Sequence, residues 1–290
     1  MKIGVVGLGN MGSVLAENLV HRGNEVIGHD VAGSAGLPAG AAFSPSLEDV
    51  ARVAGVVVFS LPDGAACDAV ARTIVALPDR QVTHIVDTST IGVDAAISLA
   101  QVLKAAGVAY IDAPVSGGVA GARARTLAVM YAGPPSVCDE VEPVLAGLSD
   151  RRHHVGDQPG MGQALKLLNN FLSATALLAT SEAIAFGRAA GLDMATMLEV
   201  VNVSSGQNSA TADKFPNHVL TGTFAAGFAN SLMAKDVRLY EEAVVARGTP
   251  DHLGNVTARV WQDFAGGQPN VDFTRIYQFL DRHFGPTRPL

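Results

Sequence analysis

Charge is scarce in this sequence: Asp, Glu, Lys and Arg together make up 16% of 290 residues, with no long basic run. Lys+Arg 20 against Asp+Glu 27 leaves a net charge of −7. That balance gives nucleic acid and anionic membrane little electrostatic purchase, so neither is expected as a partner. Cysteine is nearly absent. Cys67 and Cys138 carry no CxxC or CxxH spacing, and each reads as a small buried hydrophobe. No uninterrupted apolar run approaches the about 18 residues of a membrane span. The opening MKIGVVGLGNMG is broken by four glycines and has no cleavage site of the signal-peptide type, so a soluble, cytoplasmic protein is expected. Low-complexity linkers and internal repeats are missing as well.

What is present is apolar residue and glycine: a 48% hydrophobic share and 31 glycines. The length accommodates two domains of about 100–200 residues each. KIGVV, NEVIGHD, VVVFSLP, HIVDTST and VAYID read as strands. Helical patterns lie between them: Met11 to Arg22, SLEDVARVAG with Ser46 as N-cap, and AAISLAQVLKAAG closing on Gly107. Alternating strand and helix predicts an α/β fold, a parallel sheet covered on both faces. Ligands of such sheets bind off the carboxyl ends of the strands, where this chain places Asp30, Leu61-Pro62, Ser89-Thr90 and Asp112. Beyond about residue 163 the strand signals stop, and helices are expected at 163–190, 193–203, about 226–247, 252–265 and 273–283. The expected division is therefore 1–162 and 163–290, with the second part all-α.

VVGLGNMG sets Gly7, Gly9 and Gly12 in a GxGxxG between the first strand and the first helix. Gly7 allows the tight turn, Gly9 lets backbone approach a pyrophosphate at the helix N-terminus, and Gly12 permits close helix–strand packing. Asp30 ends the second strand. A carboxylate there accepts from both adenosine ribose hydroxyls and repels a 2′-phosphate, and no Arg or Lys follows it in HDVAGSAG. The cofactor expected is NAD rather than NADP. A second glycine segment, DAPVSGGVAGARARTLAVMYAG, offers the Ser116 hydroxyl and the N–H groups of Gly117 and Gly118. Two readings stand side by side: a carboxylate seat, or a plain turn.

The stretch GQALKLLNNFLSATALLATSEAIAFGRAAG reads as one long, mostly apolar helix with Lys166, Asn169, Asn170 and Ser173 set into it. At about 100° per residue, positions 166, 170 and 173 fall on one narrow stripe. Burying an ammonium without a partner costs several kcal/mol, so Lys166 needs a reason to be there.

GLGNMG at 7–12, DAPVSGG at 112–118, GMGQALKLLNN at 160–170 and MAKD at 233–236 occur in the order and spacing of the β-hydroxyacid dehydrogenase family. The chain resembles its 3-hydroxyisobutyrate dehydrogenase branch over essentially the whole length. The resemblance implies an N-terminal Rossmann domain, a helical C-terminal domain for substrate binding and oligomerisation, and a homodimer or homotetramer. It implies that Lys166 is catalytic and faces a wet cleft, answering the question its position raises. Ser116, Gly117, Gly118 and Asn170 would bind a small hydroxyacid substrate. Gly7, Leu8, Gly9, Asn10, Met11, Gly12, Asp30, Leu61, Pro62 and Thr90 would hold the cofactor, and Lys235 would serve on the nicotinamide side of the same site. The reaction implied is hydride transfer from a carbinol carbon while Lys166 accepts the hydroxyl proton.

Rival readings are reduction of imines or of short aldehydes such as glyoxylate or succinic semialdehyde with NAD(P)H, and a non-catalytic dehydrogenase-like binding module. Imine reducers usually lack the KxxNN lysine and carry a basic residue after the second strand; binding modules typically lose the lysine. A phosphogluconate dehydrogenase would be longer and carry a histidine at position 169. One departure from the family stands at Arg125, where glycine is usual, read either as a contact to an extra substrate anion or as a surface arginine. NVSSGQNSA (202–210) is either a source of specificity contacts, through Ser204, Ser205, Gln207 or Asn208, or a solvated turn. His153 and His154 point to opposite faces of a strand with no partner at ligand spacing, so no metal is expected. Asp236 is expected to position a helix rather than to act as an acid.

Overall fold

The computed structural model describes residues 1–284 and divides into two compact units, Met1–Lys166 and Leu167–Leu290. The division falls just past the first turn of a helix expected to open the second domain, so that turn counts with the sheet.

In the N-terminal unit, β1 (Lys2–Val6) leads through the glycine loop into α1 (Asn10–His21), followed by β2 (Glu25–His29) and the two-residue β3 (Ala42–Phe43). Then come α2 (Leu47–Val53), β4 (Val56–Phe59), α3 (Gly64–Ala76), β5 (His84–Asp87), α4 (Val93–Ala105) and β6 (Ala109–Asp112). The Ser46 side chain accepts from the Asp49 N–H and caps α2 as expected. Strands β1 and β4 are buried almost throughout because both sheet faces are covered, which is why they read as unbroken apolar runs. The parallel strands run in the order β3-β2-β1-β4-β5-β6. Strand order therefore reverses between β1 and β4, which opens a crevice beyond their carboxyl ends.

The sheet does not stay parallel. β7 (Val115–Ser116), α5 (Gly118–Arg123), β8 (Ala128–Ala132), α6 (Pro135–Glu140), α7 (Glu142–Leu148) and β9 (Arg151–Gly156) follow. β8 pairs antiparallel with β6 and β7, and parallel with β9. Two apolar clusters hold the unit together: one joins α1 and α7 to the sheet through Leu15, Leu19, Leu145 and Leu148, the other sets Ile74, Leu99 and Leu103 against Phe59 and Ile85. Both cysteines are free and buried, and burial pushes the Cys138 thiol up to about 11 and the Cys67 thiol higher still.

α8 (Met161–Ala189) runs 29 residues and carries the chain from the first unit into the second. There follow α9 (Met194–Val201), a π-helix at Ala210–Val219, α10 (Asn230–Arg247), α11 (His252–Gly267) and α12 (Ile276–Phe284). The core of the second unit is aromatic: Trp261, Phe264, Phe273, Phe215 and Tyr277, with the Trp261 indole N–H donating to the Ala174 carbonyl. No helix among the described residues is long and apolar enough to cross a membrane.

Candidate active site

The glycine loop meets its three demands in different ways. Gly7 sits at φ 94, and a side chain on it would collide with the Ser60 carbonyl. A side chain on Gly12 would collide with the Gly7 carbonyl. Gly9 is different. It caps α1 at φ −66, and nothing lies within 4 Å of where its Cβ would be, so neither backbone nor packing requires glycine. A Cβ there would fill the space in front of the α1 amides, where a helix N-terminus receives phosphate. The residues present fit a dinucleotide.

Asp30 lies just past β2 and is half-buried. Its Oδ2 accepts from the Leu8 N–H at 2.6 Å and its Oδ1 from the Ala32 N–H at 2.8 Å, which fixes the carboxylate beside the loop. Each oxygen keeps a further lone pair for a hydroxyl. Asn10 and Pro62 are exposed, and Met11, Leu61 and Thr90 are partly so. The Leu61 N–H donates to Ser89 Oγ at 2.9 Å, tying the ends of β4 and β5 together.

Ser116 ends β7, and Gly117 (φ 132) and Gly118 (φ 66) turn the chain into α5 with backbone that L side chains rarely adopt. Arg125 does not join this turn. It holds φ 58, and its guanidinium donates to the Gly147 and Ala146 carbonyls at the end of α7 and to Asp150. Its cation complements the C-terminal end of that helix, a role that neither expectation for Arg125 named.

Asp112 was expected among the polar strand tails that face a ligand. It is instead fully buried. Its Oδ1 accepts from the Gly160 N–H at 3.2 Å and its Oδ2 from the Gln163 N–H at 2.9 Å, so it satisfies two orphan donors at the start of α8. Burial pushes the Asp112 carboxyl up to about 6, against the lowering effect of those two N–H donors. A carboxyl with a higher pKa folded than unfolded binds more protons in the folded chain between about pH 4 and pH 6. Its contribution to stability therefore falls as pH rises through that window, by about 3 kcal/mol in total. Asp112→Asn removes this titration, so melting scans from pH 4 to 6.5 should show the variant gaining on wild type as pH rises. A constant difference would contradict it.

Gln163, one turn into α8, is also fully buried. Its Oε1 accepts from the Ile91 N–H at 3.0 Å and the Gly92 N–H at 3.3 Å, and its Nε2 donates to the Ser89 carbonyl at 3.0 Å. Three residues on, Lys166 is only 7% exposed. Sequence reasoning missed both anchors of this turn, since their partners lie 48 to 74 residues away.

Within the C-terminal unit, Asp236 is the organising group. Asn170 Nδ2 donates to its Oδ2 at 2.6 Å, Lys235 Nζ stands 3.3 Å from its Oδ1, and Asn169 Nδ2 donates to Asn170 Oδ1 at 3.0 Å. Asp236 is buried and Lys235 largely so. In the 202–210 segment, Asn208 Oδ1 accepts from the Ala210 and Thr211 N–H groups and Ser204 Oγ donates to the Val200 carbonyl, while Ser205 and Gln207 are exposed. His154 is near the Gly133 carbonyl at 3.0 Å and packs on Tyr131. Among the described residues no group of three or more His, Cys, Asp or Glu is placed to hold a metal ion.

The strand order, the glycine loop and the acidic residue after β2 define a Rossmann-type nucleotide-binding unit followed by a helical one. Residues 2–156 match the NAD-binding domain of 6-phosphogluconate dehydrogenase, and residues 160–280 match the family described as NAD-binding of NADP-dependent 3-hydroxyisobutyrate dehydrogenase. The chain is 34% identical to the mitochondrial 3-hydroxyisobutyrate dehydrogenase of Drosophila melanogaster, covering 97% of this chain and 89% of that one. It is 35% identical to the 2-(hydroxymethyl)glutarate dehydrogenase of Eubacterium barkeri, over 92% and 89%. A solved structure of Mycobacterium tuberculosis 3-hydroxyisobutyrate dehydrogenase with L-serine superposes at a TM-score of 0.89 with 31% identity, covering 96% of this chain and 98% of that one. The chain belongs to the β-hydroxyacid dehydrogenase family.

Proposed function

We propose that this chain is an NAD-dependent oxidoreductase interconverting a small β-hydroxycarboxylate and its semialdehyde, with Lys166 as general acid and base. The observation that carries the reading is Lys166 itself, a lysine 7% exposed three residues beyond the doubly anchored start of α8. An amine held in a fixed, largely buried place suits a general acid and base.

In this reading the α1 amides and Gly7 to Gly12 receive the pyrophosphate, Asp30 takes the adenosine ribose hydroxyls, and Leu61, Pro62 and Thr90 complete the cofactor seat. Bound there, nicotinamide accepts or returns the hydride. The protein's own share is the proton: Lys166 Nζ takes it from the substrate hydroxyl during oxidation and gives it back to the alkoxide in reverse. Ser116 Oγ and the Gly117 and Gly118 N–H groups receive the carboxylate. Asn170 and Lys235, held through Asp236, serve the rest of the substrate, and Lys235 serves the nicotinamide side as well.

The molecules named for the relatives share one core, HOCH2–CH(R)–COO⁻, with R a methyl, a propionate or an amino group. That core is the proposed substrate class. The proposed assembly is a homo-oligomer, supported by an apolar stripe along the exposed side of α8 at Leu168, Leu172, Ala179, Ala183 and Phe186. Light scattering reads its mass, and a monomer at micromolar concentration would refute it.

The test follows absorbance at 340 nm on small 3-hydroxyacids with NAD⁺ and on their semialdehydes with NADH. NADH should bind at least about tenfold more tightly than NADPH, the ratio that about 1.4 kcal/mol of repulsion at Asp30 produces. Asp30→Ser should bring the two within about threefold, half a decade. Equal affinities in wild type would remove the NAD assignment. Turnover of imines with NADPH, and none of hydroxyacids, would replace the substrate class.

A further inference from the structure

The Gln163 amide is spent entirely on main chain. It accepts from Ile91 and Gly92 and donates to Ser89, so one side chain satisfies three polar groups of a four-residue segment. That segment is itself braced from the other side: the Ser89 N–H donates to Asp87 Oδ1, and Ser89 Oγ accepts from the Leu61 N–H. Thr90 lies inside the braced segment, and Lys166 lies one turn beyond Gln163 on the same side of α8. Apolar packing alone would let a helix slide or roll by fractions of a turn. A buried amide bonded to three main-chain groups favours one placement strongly, since any other leaves those groups unpaired.

We infer that Gln163 is a positioning residue for the reaction, clamping the first turn of α8 to the 89–92 segment so that Lys166 and Thr90 are held in one fixed relation. The inference rests on the reading of Lys166 as the proton carrier and of Thr90 as a cofactor contact. Asp112 secures the helix backbone to β6, and Gln163 joins α8 to the segment bearing Thr90. A displacement of about 1 Å at a reacting group costs on the order of 100-fold in rate.

Gln163→Met keeps length and volume and removes all three bonds. Its kcat should fall about 10- to 100-fold while KM for the hydroxyacid moves less than about threefold, the signature of lost alignment rather than lost binding. The decisive comparison repeats the substitution in a Lys166→Ala background, with product quantified after long incubation. If Gln163 acts through Lys166, adding Gln163→Met there should cost less than about twofold. An equal fold-loss in both backgrounds, or unchanged kcat with a lowered Tm, would make Gln163 a structural residue only and overturn the inference. Should the Met variant fail to fold, Gln163→Leu replaces it under the same criteria, since it too removes all three bonds. Wild-type turnover by Lys166→Ala alone is a separate outcome: it removes the proton-carrier reading first, and this inference with it.

Discussion

Lys166→Ala should lower kcat by about 10² to 10⁴-fold, the range for loss of a positioned proton carrier, and leave the NADH dissociation constant within about twofold. The asymmetry follows from the proposed division of labour, in which the glycine loop and Asp30 would hold the cofactor and the lysine would carry the proton. Lys166→Arg sharpens the result. A guanidinium keeps the charge but does not deprotonate in proteins. If proton transfer is the role, arginine should be nearly as inactive as alanine. Recovery in the arginine variant would reassign Lys166 as a fixed charge, and retained turnover in the alanine variant would sink its catalytic role outright. Steady-state rates at 340 nm, with fluorescence titration of NADH, provide both readouts.

Valine at Gly9 and valine at Gly12 should fail in opposite ways. Gly9→Val places its side chain in open space, so the chain should melt within about 2 °C of wild type, a difference below about 1 kcal/mol. NADH binding should nonetheless weaken at least about 100-fold, because the branched side chain stands where phosphate must approach the α1 amides. Gly12→Val forces α1 away from the Gly7 carbonyl, and overpacking of that kind costs about 3 kcal/mol or more, about 6 °C or more in Tm. Calorimetry and NADH titration on the two variants separate a binding surface from a packing contact. Undiminished NADH binding by folded Gly9→Val would displace the dinucleotide from this loop.

What could be read from the sequence was what local chemistry dictates. The buried strands of the parallel sheet announce themselves as apolar runs, Ser46 caps α2 with its own hydroxyl, and the long helix expected at 163–190 spans Met161–Ala189. What escaped depends on partners far along the chain. Arg-Arg-His-His reads as strand, but its parallel pairing with β8 has no local signal. The Ala210–Val219 helix carries Pro216 inside it and winds as a π-helix, which no 3.6-residue spacing reveals. The four family motifs marked the candidate site residues, but not what braces them. Asp112 looked like a ligand group because it ends a strand, and Gln163 was passed over inside the GMGQALKLLNN motif; each acts through backbone groups that no spacing rule connects to it. The Asn170 partner of Asp236 was equally hidden: their bond spans 66 residues.

The boundary between the two compact units falls within a hydrogen-bonded helix rather than in a loop. α8 is one unbroken helix across that boundary. One residue inserted after Lys166 would turn Asn170 by about 100° about the helix axis and carry it about 1.5 Å further along. Graftings of a foreign helical unit onto this nucleotide-binding unit must then keep the count from Gln163 to Asn170 unchanged. The 202–210 segment lies outside α8, so a change in its length leaves that helix count untouched.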